Sequence, residues 1–311
     1  GKAVPGDLRN RYLAAVIALR SGQASKAREE IQQVLRVAPE HMPSQLLAGA
    51  VELELASYRT AEEHFRRVIS REPGHVAARN FLVATLLRAG EASRAEDVLA
   101  PALRAAPGDA TLQRLAGEVA LAGGDVARAV KHYDQAAELE KSSPDVRARL
   151  AQLRFAAGDV ERGVRDLEAV SKLDPSRYQA DLALVALQLR RGERDKALAA
   201  ARGLAARQPD NPLAHNVLGT VHLARGEQPA ARQSYEHALQ LEPTFLPAAR
   251  NLARLDLDAK RPEDARARFT RIVARDPGNE GALLSLAELD AGLGAKPAEV
   301  LAMLDRAVKA N

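Results

Sequence analysis

The chain has 311 residues and contains neither cysteine nor tryptophan. Without cysteine there are no disulfide staples, no Cys–His nucleophile and no thiolate metal site. The compartment stays open, because a chain with a sizeable apolar core needs no staples. Aromatic residues make up only 3 %, five Tyr and five Phe, which argues against a groove built to stack sugar rings. No run of eighteen apolar residues exists, so no helix of ordinary length crosses a bilayer. Neither sign of charge dominates: 45 Lys and Arg oppose 41 Asp and Glu, and no basic stripe is set out for phosphates. Arg outnumbers Lys about fourfold, which reads first as a coding bias. Enzyme signatures are missing as well. There is no G-x-x-x-x-G-K-[ST] phosphate loop, no G-x-S-x-G nucleophile elbow and no H-E-x-x-H zinc helix. Acidic pairs such as Glu29-Glu30 and Glu62-Glu63 sit among arginines at helical spacing, as solvated faces do. No catalytic residue, metal site or cofactor is expected.

What the chain does have is a lattice. Pro39, Pro73, Pro107, Pro175, Pro209, Pro243 and Pro277 recur at one constant interval, with a single double step. The missing member falls at Lys141, where Ser142-Ser143-Pro144 takes over the helix stop. Gly22, Gly90, Gly124, Gly158, Gly192, Gly226 and Gly294 keep the same period, with Ala56 and Lys260 in the other two turns. A residue just past a helix end often adopts a left-handed backbone, which suits glycine. A small residue recurs at Ala27, Ala61, Ala95, Ala129, Gly163, Ala197, Ala231 and Ala265. Four residues later a bulky one follows: Ile31, Phe65, Leu99, Tyr133, Leu167, Tyr235 and Phe269, with Ala201 breaking the series. Between the punctuation marks lie Ala- and Leu-rich segments of strong helix formers.

The spacing predicts an all-α chain of about eighteen helices, two per repeat. Eight full repeats cover 8–41, 42–75, 76–109, 110–143, 144–177, 178–211, 212–245 and 246–279. A degenerate ninth, 280–311, slips by one residue after Gly294, with Val300, Leu304 and Ala307 in the expected places. Residues 1–7 precede the lattice as an extension. Altered packing is expected around Lys141, which lacks the proline, and around Ala201, which lacks the bulky residue.

A two-helix unit of about 34 residues with these small, large and proline positions resembles the tetratricopeptide repeat. That resemblance implies a single solenoid in which antiparallel helix pairs wind into a right-handed superhelix. About eight repeats would make one turn, with the first helix of each pair lining an inner face that binds an extended partner. In each first helix, the fifth and ninth residues of the repeat lie one turn apart and are expected to face inward. Those places give Tyr12, Leu46 and Asn80 near the amino end, with Val16, Ala50 and Ala84 a turn on. Arg114 and Glu118 follow in the middle, then Asn216 with Thr220, and Arg250 with Arg254. Asn251 lies beside the last pair. Arg250, Asn251 and Arg254 form the sharpest cluster, since two guanidinium forks and an amide suit a carboxylate, sulfate or uronic acid. The plain alternative is a solvated surface paired with Asp256, Asp258 or Glu288. No repeat carries the Lys/Asn pair of the clamps that hold chaperone tails. The fifth places also hold no recurring polar pair of the kind that reads RNA one base per repeat, so no nucleic acid is expected. Among the histidines, His41 and His75 follow the lattice proline, His64 and His132 match in second helices, and His215 and His222 share a face. None forms an i,i+4 chelating pair.

Three stretches, PDNPLAHNVLGTVHLARGE (209–227), LPAARNLARLDL (246–257) and YQADLALVALQLRRGERDKALAAA (178–201), resemble the repeat lipoproteins of PEP-CTERM/exosortase systems. That resemblance implies a scaffold in bacterial exopolysaccharide synthesis and surface-protein sorting. Such a protein faces the periplasm and is tethered to a membrane through a segment outside this chain. The chain starts without Met and stops in mid-repeat, and is expected to be a piece of something longer. The expected function is a non-enzymatic protein–protein scaffold gripping a protein or peptide, such as secretion or sorting machinery, along its inner groove. The alternatives are direct polysaccharide binding by the polar C-terminal inner face, and a cytoplasmic regulatory scaffold.

Overall fold

The first helix of each repeat stops where the turn residue takes up a left-handed backbone. In the structure, a computed structural model that describes residues 5–310, those turn glycines have φ between 72° and 84°. The amide of the residue that follows then reaches back to close the turn. Asp125 N–H donates to Ala120 C=O at 2.9 Å, and Arg261 N–H donates to Asp256 C=O at 2.8 Å. This satisfies carbonyls that the helix end would otherwise orphan. Ala56 and Lys260 adopt the same conformation, at φ 55° and 57°, with a Cβ that the left-handed region disfavours. Lys260→Gly is therefore expected to raise stability by about 1 kcal/mol. The check is the urea midpoint, and an unchanged or lowered midpoint would show that the Lys260 side chain contributes more than the strain costs.

Helices account for all the regular structure of the described residues. They form two compact units, one ending at Gly163 and the other starting at Val164. The first unit contains α1 (Pro5–Arg20), α2 (Ala24–Val37), α3 (Met42–Glu54), α4 (Tyr58–Arg71), α5 (Val76–Arg88), α6 (Ala92–Ala105), α7 (Ala110–Ala122), α8 (Val126–Leu139) and α9 (Pro144–Ala156). The boundary falls within α10 (Val160–Leu173). The second unit continues with α11 (Tyr178–Arg190), α12 (Arg194–Arg207), α13 (Pro212–Ala224), α14 (Gln228–Leu241), α15 (Leu246–Asp258), α16 (Pro262–Arg275), α17 (Glu280–Gly292) and α18 (Pro297–Ala310). Helix α1 begins at Pro5, inside the stretch expected to precede the lattice, while residues 1–4 and Asn311 lie outside the described residues. Helix α18 begins one place later than the lattice set by α16 would put it, and Ala307 is buried while Arg306 is exposed.

In the second, fourth and seventh repeats, a glycine on the first helix admits a large ring on the second. A Cβ on Gly49, Gly117 or Gly219 would lie 2.5–2.6 Å from the ring of Phe65, Tyr133 or Tyr235. Where Ala201 replaces the large residue, Val185 replaces the small one, and both are buried in one cluster with Ala197, Leu198 and Val221. The gap expected at Ala201 is thus filled from the facing helix. Phe155 is accommodated in a similar way, because a Cβ on Gly163 would lie 2.5 Å from its ring.

The joint between repeats is as regular as the turn. His41 N–H donates to Ala38 C=O at 3.2 Å, and Asn279 N–H donates to Asp276 C=O at 3.0 Å. Ser143 N–H donates to Glu140 C=O at 3.0 Å, so the turn forms at Lys141 without its proline. A side chain at the fourth place of the next repeat clasps the carbonyl of the lattice proline before it. Gln45 does so at 2.5 Å, Gln113 at 2.7 Å and His215 at 2.7 Å, and Arg79 makes the same contact with Pro73.

Candidate inner-face site

In the first unit the odd helices α1, α3, α5 and α7 lie side by side. Tyr12, Leu46, Asn80 and Arg114 occupy the same place on successive helices, so they run in one row across this face. At its amino end lies a largely apolar groove of about 480 Å³, lined by Tyr12, Val16, Met42, Leu46, Ala50 and Phe81, with Arg20, Glu72 and His75 also in its lining. The Phe81 ring stacks on Phe65 with centroids 5.4 Å apart, which holds it in place. Farther along the row Asn80 Oδ1 and Arg114 Nε are buried with no protein hydrogen-bond partner. Such buried atoms are costly to leave unpaired. Met42 and Phe81 are groove residues that the fifth-and-ninth rule passes over. An aromatic one place after Asn80, on a face otherwise poor in rings, was the available signal.

Glu118 does not pair with Arg114. Its carboxylate accepts from the Tyr133 hydroxyl at 2.6 Å and from Arg149 of the next repeat at 3.0 and 2.9 Å. Burial pulls this carboxyl upward, but the Arg149 fork and the Tyr133 hydroxyl outweigh burial and hold it below its ordinary value. Burial and the Glu118 bond push the Tyr133 phenol up. This is bracing between repeats, with the carboxylate occupied.

In the second unit the three residues of the expected anion cluster diverge. Arg250 Nε donates to Ser285 Oγ at 2.9 Å, and its Nη2 donates to Gly281 C=O at 3.3 Å. Asn251 donates to Asn216 Oδ1 at 3.0 Å, joining adjacent inner helices. Arg254 is exposed. Asp256 turns the other way: it is buried and pairs with Arg232 at 2.7 Å, Arg261 at 3.0 Å and Arg268 at 3.1 Å. A related pairing recurs at one fixed separation along the chain, in Arg28–Glu52, Arg232–Asp256 and Arg266–Asp290. That separation was present in the sequence, and it identifies these acids as joints between repeats.

The matching histidines belong to the joints as well. His64 Nδ1 lies 2.5 Å from Gln45 Oε1, and His132 Nδ1 lies 2.9 Å from Gln113 Oε1. Each glutamine already donates its amide to a proline carbonyl, so its oxygen accepts and the histidine donates from Nδ1. Burial lowers the His64 pKa, aided by Arg67 and opposed by Glu52 and Glu63. Burial also lowers that of His132, aided by Arg128 and Lys131 and opposed by Glu96. With folded values depressed, both contribute stability that is fully present above the unfolded pKa of about 6.5. That contribution declines as pH falls from there through the folded pKa. Between pH 7.5 and 5 the His64→Gln/His132→Gln variant is expected to lose less melting temperature than the parent. Equal losses in the two proteins would remove the histidines from the pH response. Among the described residues no group of three or more His, Asp or Glu is placed to hold a metal ion, and no helix is long and apolar enough to cross a membrane.

Helix pairs on a fixed lattice, with a lined inner face, define a helical-repeat protein. The chain belongs to the tetratricopeptide repeat family: one family model of that description matches residues 52–119, 120–165 and 222–289, more than half of the chain, and a second matches 12–75 and 182–244. Among solved structures, the C-terminal part of a TPR repeat-containing protein from Cytophaga hutchinsonii is 14 % identical. That match covers 78 % of this chain and 99 % of that one, with a TM-score of 0.58, and it shows the same fold. MamA (41-end) from Desulfovibrio magneticus RS-1 is 20 % identical over 56 % of this chain and 99 % of its own, at a TM-score of 0.48. Yeast Tom70 is 13 % identical over 99 % of this chain and 86 % of its own, at a TM-score of 0.45. No curated protein matches the chain. Proteins built from these repeats are generally scaffolds for protein–protein interaction, without catalysis.

Proposed function

We propose that the protein is a non-enzymatic scaffold whose first unit grips an extended, apolar segment of a partner protein. The observation that carries this is the open groove around Leu46, walled by Tyr12, Met42 and Phe81. An open apolar groove suits a segment that buries alternate apolar side chains in it. The polysaccharide alternative has less support, because Arg250 and Asn251 are held by neighbouring repeats. Selection from a displayed peptide library tests the proposal. Enriched peptides should carry alternating apolar residues, and Leu46→Arg should weaken them at least tenfold. No enrichment, or binding indifferent to Leu46→Arg, would count against it.

The wording of residues 178–257 supports placing this scaffold in a bacterial envelope polysaccharide or sorting system, tethered on the periplasmic side. Fractionation of cells expressing the native gene product tests that placement. Recovery with envelope membranes is expected, and recovery only in the cytosol argues for the cytoplasmic alternative.

A further inference from the structure

The even helices of the second unit frame a groove whose lining includes no residue of the odd helices. It lies between α14 and α16, holds about 640 Å³, and is closed at the joint by Pro243. Leu239, Pro243 and Ala274 make its apolar part. Arg268, Arg271 and Arg275 bring three positive charges to it, against one carboxylate, that of Glu236. Arg268 is held by Asp256 at 3.1 Å and lies 3.8 Å from Glu236. Arg271 and Arg275 are exposed and one helical turn apart, and neither has an ion pair or side-chain hydrogen bond among the described residues.

The chain itself shows what an arginine in the place of Arg275 takes. That place, in the last turn of a second helix, also holds Arg71 and Arg207. Arg71 pairs with Glu40 of the preceding joint, and Arg207 pairs with Asp181 at 2.6 Å. Both therefore take a carboxylate from this chain. For Arg275, the place of Glu40 holds Thr244 and the place of Asp181 holds Ala249, so neither acid is there. We infer that this groove binds an acidic segment of a protein partner, with an aspartate or glutamate on Arg271 and Arg275 and an apolar neighbour against Leu239 and Pro243. Two guanidinium forks one turn apart suit a carboxylate. A sugar chain fits less well, because no aromatic ring lines the groove. The site belongs to the second unit, and its ligand is unlike the apolar segment assigned to the groove around Leu46.

Selection of a displayed peptide library on the full chain carrying Leu46→Arg, which blocks the groove of the first unit, tests this. Enriched peptides should pair Asp or Glu with an apolar residue. Arg271→Gln/Arg275→Gln, at exposed sites and checked for unchanged melting, should weaken them by about tenfold or more. Thr244→Glu supplies Arg275 with the acid that Arg71 finds in Glu40, and should weaken the same peptides several-fold with both arginines intact. Mere damage to α16 would not be reproduced by that change. No acidic enrichment, or peptides indifferent to the arginine pair, overturns the inference. Binding unchanged by Thr244→Glu also overturns it, since Arg275 would then not receive the carboxylate. Oligogalacturonate bound in place of peptide, and lost in the arginine variant, overturns it in favour of a polysaccharide site. The groove around Leu46 is silenced throughout, so failure here is distinct from failure there.

Discussion

Asp256→Ala is expected to lower stability by about 3–5 kcal/mol, the range seen when one partner of a buried ion pair is removed. Asp256 sits on α15 with a fully buried side chain and receives Arg232 from α14, Arg261 from the turn and Arg268 from α16. It therefore ties three consecutive helices together. Glu236 also lies 4.0 Å from Arg232 and 3.8 Å from Arg268, and Asp264 lies 3.7 Å from Arg261, so removing Asp256 leaves three guanidinium groups with only these two more distant carboxylates. Arg232 and Arg268 are largely covered and cannot turn fully to water. Loss of protection should be greatest in α14–α16, because repeats in an array contact only their neighbours. Amide hydrogen exchange reads this directly. A variant that keeps parental exchange in those helices would show that the arginines find other partners.

Gly219→Val and Tyr235→Ala should each be harmful alone and less harmful together. Any Cβ at Gly219 would lie 2.6 Å from the Tyr235 ring, an overpacking that costs about 1–3 kcal/mol. Tyr235 is fully buried, and its removal leaves a cavity worth about 3–5 kcal/mol. Together the two changes write into the seventh repeat the pair that the sixth already uses, Val185 facing Ala201. The double variant should fall short of the summed losses by about 2 kcal/mol, within the coupling range of touching residues. Urea unfolding of the four proteins closes the cycle. Additive losses would mean that the Val185–Ala201 arrangement depends on its surroundings and not on complementary size.

The lattice was legible in the sequence because its determinants are local. A left-handed turn residue, a proline and a small residue under a large one each act within a few residues and recur on a fixed period. What escaped were relations between two series read one at a time. Ala201 alone looks like a missing packing residue, and only beside Val185 does it become a swap. Arg250 on an inner face looks free to bind an anion, but its partners are Ser285 and the carbonyl of Gly281, both in the next repeat. Spacing of that kind carries meaning only once the stacking of repeats is known. The groove was legible at Tyr12 and Leu46 but not at Phe81, whose orientation comes from stacking on Phe65.

The ion pairs Arg28–Glu52, Arg232–Asp256 and Arg266–Asp290 also give the array an order. Each joins an arginine in one repeat to an acid in the next, so neighbouring repeats recognise each other by chemistry as well as by shape. Excising residues 212–245 would leave the repeat lattice unbroken, yet it would set Asp256 opposite Leu198, so that this buried carboxylate loses Arg232 from the preceding repeat and keeps only Arg261 and Arg268 of its own. Repeats with a common backbone are thus not interchangeable parts. Duplication or deletion of one unit has to be followed by change at its joints, and this favours one sequence of repeats over its permutations.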